Sequence, residues 1–398
     1  MKTKNNTMQF SCSVKPTSLA SKHSSERAIT SCRQSGRLAF LAALMLVTLV
    51  SMVIPAAAVT RSSLAGSWQA TLVIDGGCGL GTKLVDFTLD SNGQGTASAG
   101  YHTPGCGDNE ETGTISILSL NSEGTGTAQL IFGGSTVFNF NIQTSTNSQV
   151  LNMVDISDSG NYEKGMAIRQ AAPTLSQLAG IWQATLVIDG GCGLGTKLVD
   201  FRLNSNGEGP AYASYHTPGC GNNAQAGTMR ITSLNAGGDG TAELNFGGSA
   251  VFKFNIQVSA NGQIFNMVDV TDSGNYDEGS AVREASSTLA RLAGPWQATL
   301  VIDGGCGLGT KLVDFTLNSN GEGPASASYH TPGCGNNEQT GTMTITSLTG
   351  SGSGTAELNF GGSAVFTFSI QVSANGQVFN MVDVTDSGNY DEGSAVRQ

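Results

Sequence analysis

The stretch GSWQATLVIDGGCGLGTKLVDF, Gly66–Phe87, decides the fold. Trp68, Ala70, Leu72 and Ile74 recur at every second position and share one face, and Val85 and Phe87 do so again after a glycine-rich break. Period-two apolar patterning on either side of a Gly-rich turn marks two half-buried strands joined as a hairpin. The stretch returns at Gly180–Phe201 and Gly294–Phe315, 114 positions apart, with only the residue before the tryptophan changed.

The whole segment around it is repeated. Copy one runs from Leu64 to Gln170, copy two from Leu178 to Glu284 and copy three from Leu292 to Gln398. A unit of about 100 residues buries a core of its own, so the period is that of a domain rather than of a solenoid turn. The domain limits expected are 59–170, 171–284 and 285–398, after a leader at 1–58.

Within copy one, strand signals fall at Trp68–Ile74, Lys83–Leu89, Gly95–Tyr101, Thr114–Leu118, Thr127–Phe132, Val137–Gln143, Val150–Ile156 and Gly165–Arg169. The alternation breaks phase between Met153 and Val154, which predicts a bulge there. Eight short strands joined by short turns suggest an antiparallel up-and-down meander. Closure into a barrel removes its edges. The fold class expected is all-β, three tandem barrels, with a β-sandwich as the alternative.

In a meander the odd-numbered connections share one end, which brings together the loops holding Cys78 and Cys106. Disulfides Cys78–Cys106, Cys192–Cys220 and Cys306–Cys334 are therefore expected to clasp that rim, since a bridge needs Cα atoms within about 7 Å. Two cysteines and one histidine per copy are too few for a zinc site, so no metal is expected. Cys12 and Cys32 fall in the leader.

The leader carries seven Lys/Arg and one acidic residue, then an apolar run Leu38–Ile54 and the small residues of Pro55–Ala58. These are the parts of a secretory signal peptide cleaved after Ala58; an uncleaved anchor is the alternative. Residues 59–398 keep 12 basic and 29 acidic residues, a net of −17. Such a surface repels phosphate backbones, which excludes nucleic acid as a partner. A secreted or cell-envelope location follows.

Gly66-x-Trp68 on the first strand and Arg169 near the end of the last resemble the calycin superfamily, the barrels of lipocalins and avidins. Trp182 with Arg283 and Trp296 with Arg397 repeat the pair. The resemblance implies an eight-stranded barrel with the arginine covering the tryptophan at one end. It implies no ligand.

Tyr101, His102, Tyr215, His216, Tyr329 and His330 sit in the repeated YHTPGCG motif beside the clasp, and form a candidate ligand-binding rim. Asp86 and Asp155, with Asp200, Asp269, Asp314 and Asp383, lie inside apolar strands, where paired carboxylates in one lumen would suit hydrolysis. Alternation instead turns Asp86 away from Val85 and Phe87, toward solvent. Asp155–Gly165 is rich in oxygen ligands but lacks EF-hand spacing. No nucleophile elbow, phosphate loop or dinucleotide fingerprint occurs in 59–398, and no cofactor is expected. The sequence thus favours a non-enzymatic protein binding an extracellular small molecule, glycan or surface. A structural matrix or envelope component and a carboxylate-based hydrolase are the alternatives.

Overall fold

The computed structural model describes residues 58–398 apart from 157–161, 191, 248–250, 271–275, 305–306, 332, 334, 363–364 and 385–389. The expected signal peptide therefore lies outside the described residues, save for Ala58.

Copy one forms a closed eight-stranded barrel. Its strands are β1 (Gly66–Asp75), β2 (Gly81–Leu89), β3 (Gln94–Thr103), β4 (Gly107–Leu120), β5 (Thr125–Phe132), β6 (Thr136–Thr144), β7 (Val150–Val154) and β8 (Tyr162–Arg169). Every neighbour pair is antiparallel, and β1 closes the ring against β8 from Trp68↔Arg169 to Asp75↔Tyr162. Copies two and three close the same way. Among the described residues no helix is long and apolar enough to cross a membrane.

The inward residues of alternate positions fill each lumen. Trp68, Phe87, Phe132, Phe140, Ile115 and Met153 are all buried in the first. A 3₁₀ turn, Arg61–Leu64, plugs the end away from the cysteines, and the Trp68 indole Nε1 donates to Leu64 O at 2.8 Å. Satisfying that N–H lets a large ring fill the barrel end without a desolvation cost.

Two local readings change. The bulge is not in β7, which pairs regularly with β8. It lies in β4, where the register shifts between Ile117 and Ser119. The phase break in β7 has another cause: all five of its residues are buried, because both faces are covered. β4 is also far longer than its apolar signal. Its polar start, Gly107–Gly113, pairs with β3 in a hairpin arm whose side chains are mostly exposed.

The cover on the outer face is the neighbouring barrels. The three barrels belong to one compact unit, Ala56–Gln398. Val150, Met166, Ile168, Ile264, Val282, Val378 and Val396 form one buried cluster drawn from all three. Thr82 Oγ1 donates to Asp269 O, Thr196 Oγ1 to Asp383 O and Thr310 Oγ1 to Asp155 O, at 2.6, 2.6 and 2.9 Å. First meets second, second meets third, and third meets first. The contacts permute cyclically, as they do in a ring about a three-fold rotation. The seam between first and third barrels, which no linker spans, is built like the other two.

Candidate functional site

The end that holds the cysteines is built from two tight turns. Gly79 has φ +79°, a conformation that favours glycine. Gly105 N donates to Cys78 O at 2.8 Å, and a Cβ on Gly105 would fall 2.6 Å from that oxygen. This packing places Cys78 and Cys106 with Cα atoms 5.3 Å apart, bonded as a disulfide. Cys192–Cys220 repeats it at 5.3 Å. Cys306 and Cys334 lie outside the described residues.

Beneath each of the two described clasps, and at the same position of the third barrel, is a buried lysine. Lys83 is in phase with Val85 and Phe87, so it points into the barrel. Its ammonium is fully buried and donates to Glu163 Oε1 and Oε2 at 2.9 and 3.0 Å. It also lies 3.8 Å from the centre of the Phe138 ring and 4.8 Å from that of Tyr101. Lys197 with Asp277 (3.2 Å), Phe252 and Tyr215 repeats the set. So does Lys311 with Asp391 (3.4 Å), Phe366 and Tyr329. A carboxylate and two ring faces replace the water an ammonium loses on burial.

Above this floor the barrel mouth opens as a recess. In the first barrel it measures about 290 Å³, between the clasp and Tyr101, Phe138, Asp75, Glu111 and Glu163. In the second it measures about 250 Å³, between the clasp and Tyr215, Phe252, Asp189, Gln225 and Asp277. The Tyr101 hydroxyl donates to Glu111 Oε2 at 3.3 Å; Tyr215 donates to Gln225 Oε1 at 3.2 Å and Tyr329 to Gln339 Oε1 at 3.0 Å.

The electrostatics of the mouth are those of desolvated acids. Burial raises the Asp75, Asp189 and Asp303 carboxyls above their ordinary value, each partly offset by the backbone N–H that follows. Burial also raises Glu163, against the pull of Lys83 and with the Asp155 charge adding to the rise. Asp391 is pushed up to about 6 by burial, against Lys311 and helped by Asp383 and Asp303. Burial lowers Lys311, so both members of that pair move toward neutrality.

The structure separates the residues of the expected rim. Tyr101 and Tyr215 line recesses. His102, His216 and His330 point the other way and are each 1% exposed. Neighbours on a strand face opposite sides, so a mouth-facing tyrosine sends the next side chain outward. There the His102 ring meets Tyr276 of the second barrel at 4.9 Å, His216 meets Tyr390 at 4.9 Å and His330 meets Tyr162 at 4.8 Å. His102 Nδ1 also lies 2.6 Å from Asp108 Oδ1.

The strand carboxylates do not share a lumen. Asp86 is on the outer face, where Gln69 Nε2 donates to its Oδ1 at 2.8 Å and also reaches Asp239 of the second barrel at 3.2 Å. Asp155 is buried, and its backbone N–H donates to Glu163 O at 2.8 Å. Most of the oxygen-rich loop after it, 157–161, lies outside the described residues. Among the described residues no three His, Cys, Asp or Glu gather as a metal would require.

At the opposite end, the Arg169 guanidinium lies 5.8 Å from the Trp68 ring, and Arg397 lies 6.0 Å from Trp296. Arg169 donates to Ser63 O at 3.1 Å and to Ala65 O, tying the 3₁₀ plug to β8. Arg283 donates likewise to Gln177 O and Ala179 O, beside Trp182.

No family model matches the chain. No curated protein matches it either. Among solved structures it is similar to transferrin-binding protein B of Haemophilus parasuis, at 8% identity over 83% of this chain and 76% of that one, with a TM-score of 0.29. The Neisseria meningitidis protein of that name gives 11% identity, 80% and 66% coverage and a TM-score of 0.24. A protein of unknown function from Nostoc punctiforme gives 10%, 71%, 97% and 0.16. Likenesses this low carry no argument about activity or partner.

Proposed function

We propose that the mature chain is an exported, non-enzymatic binding protein whose clasp-end mouths each take one unit of a polar extracellular ligand. The carrying observation is the repeated recess: a concave mouth, one aromatic wall, and carboxylates half withdrawn from water. Few polar groups on an apolar wall are what small-molecule sites present. Carboxylates accept hydrogen bonds, so hydroxyl and ammonium donors suit the mouth and anions do not. A neutral or amino-bearing oligosaccharide satisfies both features. The filled lumen restricts binding to the mouth, because Trp68, Phe87 and Met153 occupy the interior.

The cyclic contacts between barrels support a reading in which each barrel's mouth takes a similar place around one axis. A repetitive surface glycan could then be held at several points, which raises avidity without new contacts. The basic leader and apolar run support export, and the Trp–Arg arrangement at the plugged end supports kinship with calycin barrels. A purely structural envelope role is the second reading, favoured by the packed lumen.

The test is an array of neutral, amino-bearing and acidic oligosaccharides probed with the mature chain and with Asn109→Arg/Asn223→Arg/Asn337→Arg. These asparagines are exposed on the mouth hairpins, and Asn109 and Asn223 line recesses. Binding by the parent that the triple variant loses, at unchanged melting temperature, supports the mouths. Binding equal in both, or none by either, rejects them.

A further inference from the structure

Where β8 and its counterparts Glu278–Arg283 and Glu392–Arg397 meet at the centre of the ring, three ionisable side chains converge. Lys164 Nζ lies 2.8 Å from Glu392 Oε2 and 3.9 Å from Glu278 Oε2, and all three side chains are buried. They occupy the same position of the repeat, one lysine and two glutamates. Copy one departs from the other two here, as it does at neighbouring Glu163 and Met166, where they have aspartate and serine. Three lysines or three glutamates would place like charges together in a dry core.

The threonines around the axis carry the same asymmetry. Thr71 Oγ1 donates to Glu278 Oε1 at 2.8 Å, and Thr185 Oγ1 to Glu392 Oε1 at 2.7 Å. By the cyclic pattern Thr299 faces position 164, where β8 packs against the strand Gly294–Ile302. An ammonium offers no acceptor, and the buried Thr299 Oγ1 has no hydrogen-bond partner. The orphan hydroxyl is a second observation, beside the ion pair, that the three axial sites are unequal: two threonines find a carboxylate and the third, facing Lys164, finds no acceptor.

We infer that the inner faces of the barrels form an assembly surface selective for composition: one lysine-bearing barrel combined with two glutamate-bearing ones. The partner this surface fits is another barrel of the same repeat, of complementary axial charge. The surface tolerates the lysine at any one of the three positions, and rejects three acids. This rests on the ring and not on the proposed ligand site, so the two can fail separately.

The test uses the full mature chain. Lys164→Glu puts three carboxylates on the axis. The double variant Lys164→Glu/Glu278→Lys restores one lysine and two glutamates with the lysine moved by one barrel. In it, Glu at 164 gives Thr299 its acceptor while Thr71 loses its own, so the hydrogen-bond count is kept. At pH 7.5 the single variant is expected to lower the melting temperature by on the order of 10 °C, as an uncompensated buried charge does. The double variant is expected to recover at least half of that loss. Backbone amide exchange in β8 and its two counterparts should speed up in the single variant and slow again in the double one. A single variant as stable as the parent overturns the inference. So does a double variant no more stable than the single one.

Discussion

Lys83→Met would test whether the buried pair below the first mouth is a structural unit rather than a ligand contact. Methionine keeps the aliphatic stem between Phe138 and Tyr101 and removes the charge that Glu163 holds at 2.9 and 3.0 Å. Breaking one side of a buried pair costs about 3–5 kcal/mol, mostly the penalty on the charge left behind. That penalty depends on pH. Burial already raises Glu163, and loss of Lys83 raises it further. A carboxyl whose folded pKa exceeds its unfolded one costs nothing below the unfolded value, and stability falls as pH rises toward the folded value. The slope reaches about 1.4 kcal/mol per pH unit in that window. The difference between variant and parent should therefore be about 3–5 kcal/mol at pH 7 and clearly smaller at pH 5. Lys83→Met/Glu163→Leu, with neither charge, should come back to within about 1 kcal/mol of the parent. Scanning calorimetry at the two pH values gives both numbers. A single variant within 1 kcal/mol of the parent at pH 7, or one equally destabilised at both pH values, would refute the reasoning.

Three further outcomes follow from the geometry. Cys78→Ser/Cys106→Ser opens a loop of 28 residues, and should cost about 3.5 kcal/mol in the chain-entropy model, read from guanidinium unfolding under oxidising conditions. The Asp391 carboxyl should titrate near 6 by carbon-detected NMR; because that value is raised, its share of stability is lost as pH climbs from about 4 through 6, and a midpoint at or below 4 would contradict the burial account. Gly165→Ala would put a Cβ 1.9 Å from Thr71 O across the β1–β8 closure, whereas a Cβ on Gly100 meets nothing within 4 Å; melting curves should show a loss of 3 kcal/mol or more for the first and about 0.5 or less for the second.

The residues announced the barrels more clearly than the surfaces between them. Alternation in β1, β2 and β6 located strands because one face is apolar and the other is not. It failed in β7, where Val150 and Asn152 turn outward yet are buried against the other barrels. A single repeat read alone holds no sign of a neighbour covering its outer face. The polar half of β4 carried no strand pattern, since hydrogen bonding to β3 and not burial holds it. The histidines of YHTPGCG pointed to the mouth by proximity in sequence, yet one residue of strand reverses the face. Lys83 was missed, although its inward phase with Val85 and Phe87 was a signal, since a charged residue so placed asks for a buried partner. Glu163 could not be matched to it from sequence, because the two are 80 residues apart and meet only when β8 closes the ring. The axial triad had a signal too, the change of charge from Lys164 to Glu278 and Glu392 at one position of the repeat.

Small-angle scattering of residues 59–398 in dilute solution tests most directly that the three barrels close into one body. A compact unit of residues 58–398 should have a radius of gyration of about 20 Å. Three separate barrels strung on their short linkers would give roughly 30 Å. A value near 20 Å, unchanged with concentration, is the result predicted by the His–Tyr contacts, the shared valine cluster and the charged axis. A value near 30 Å would mean that the faces buried between barrels are open to solvent, and would contradict the account.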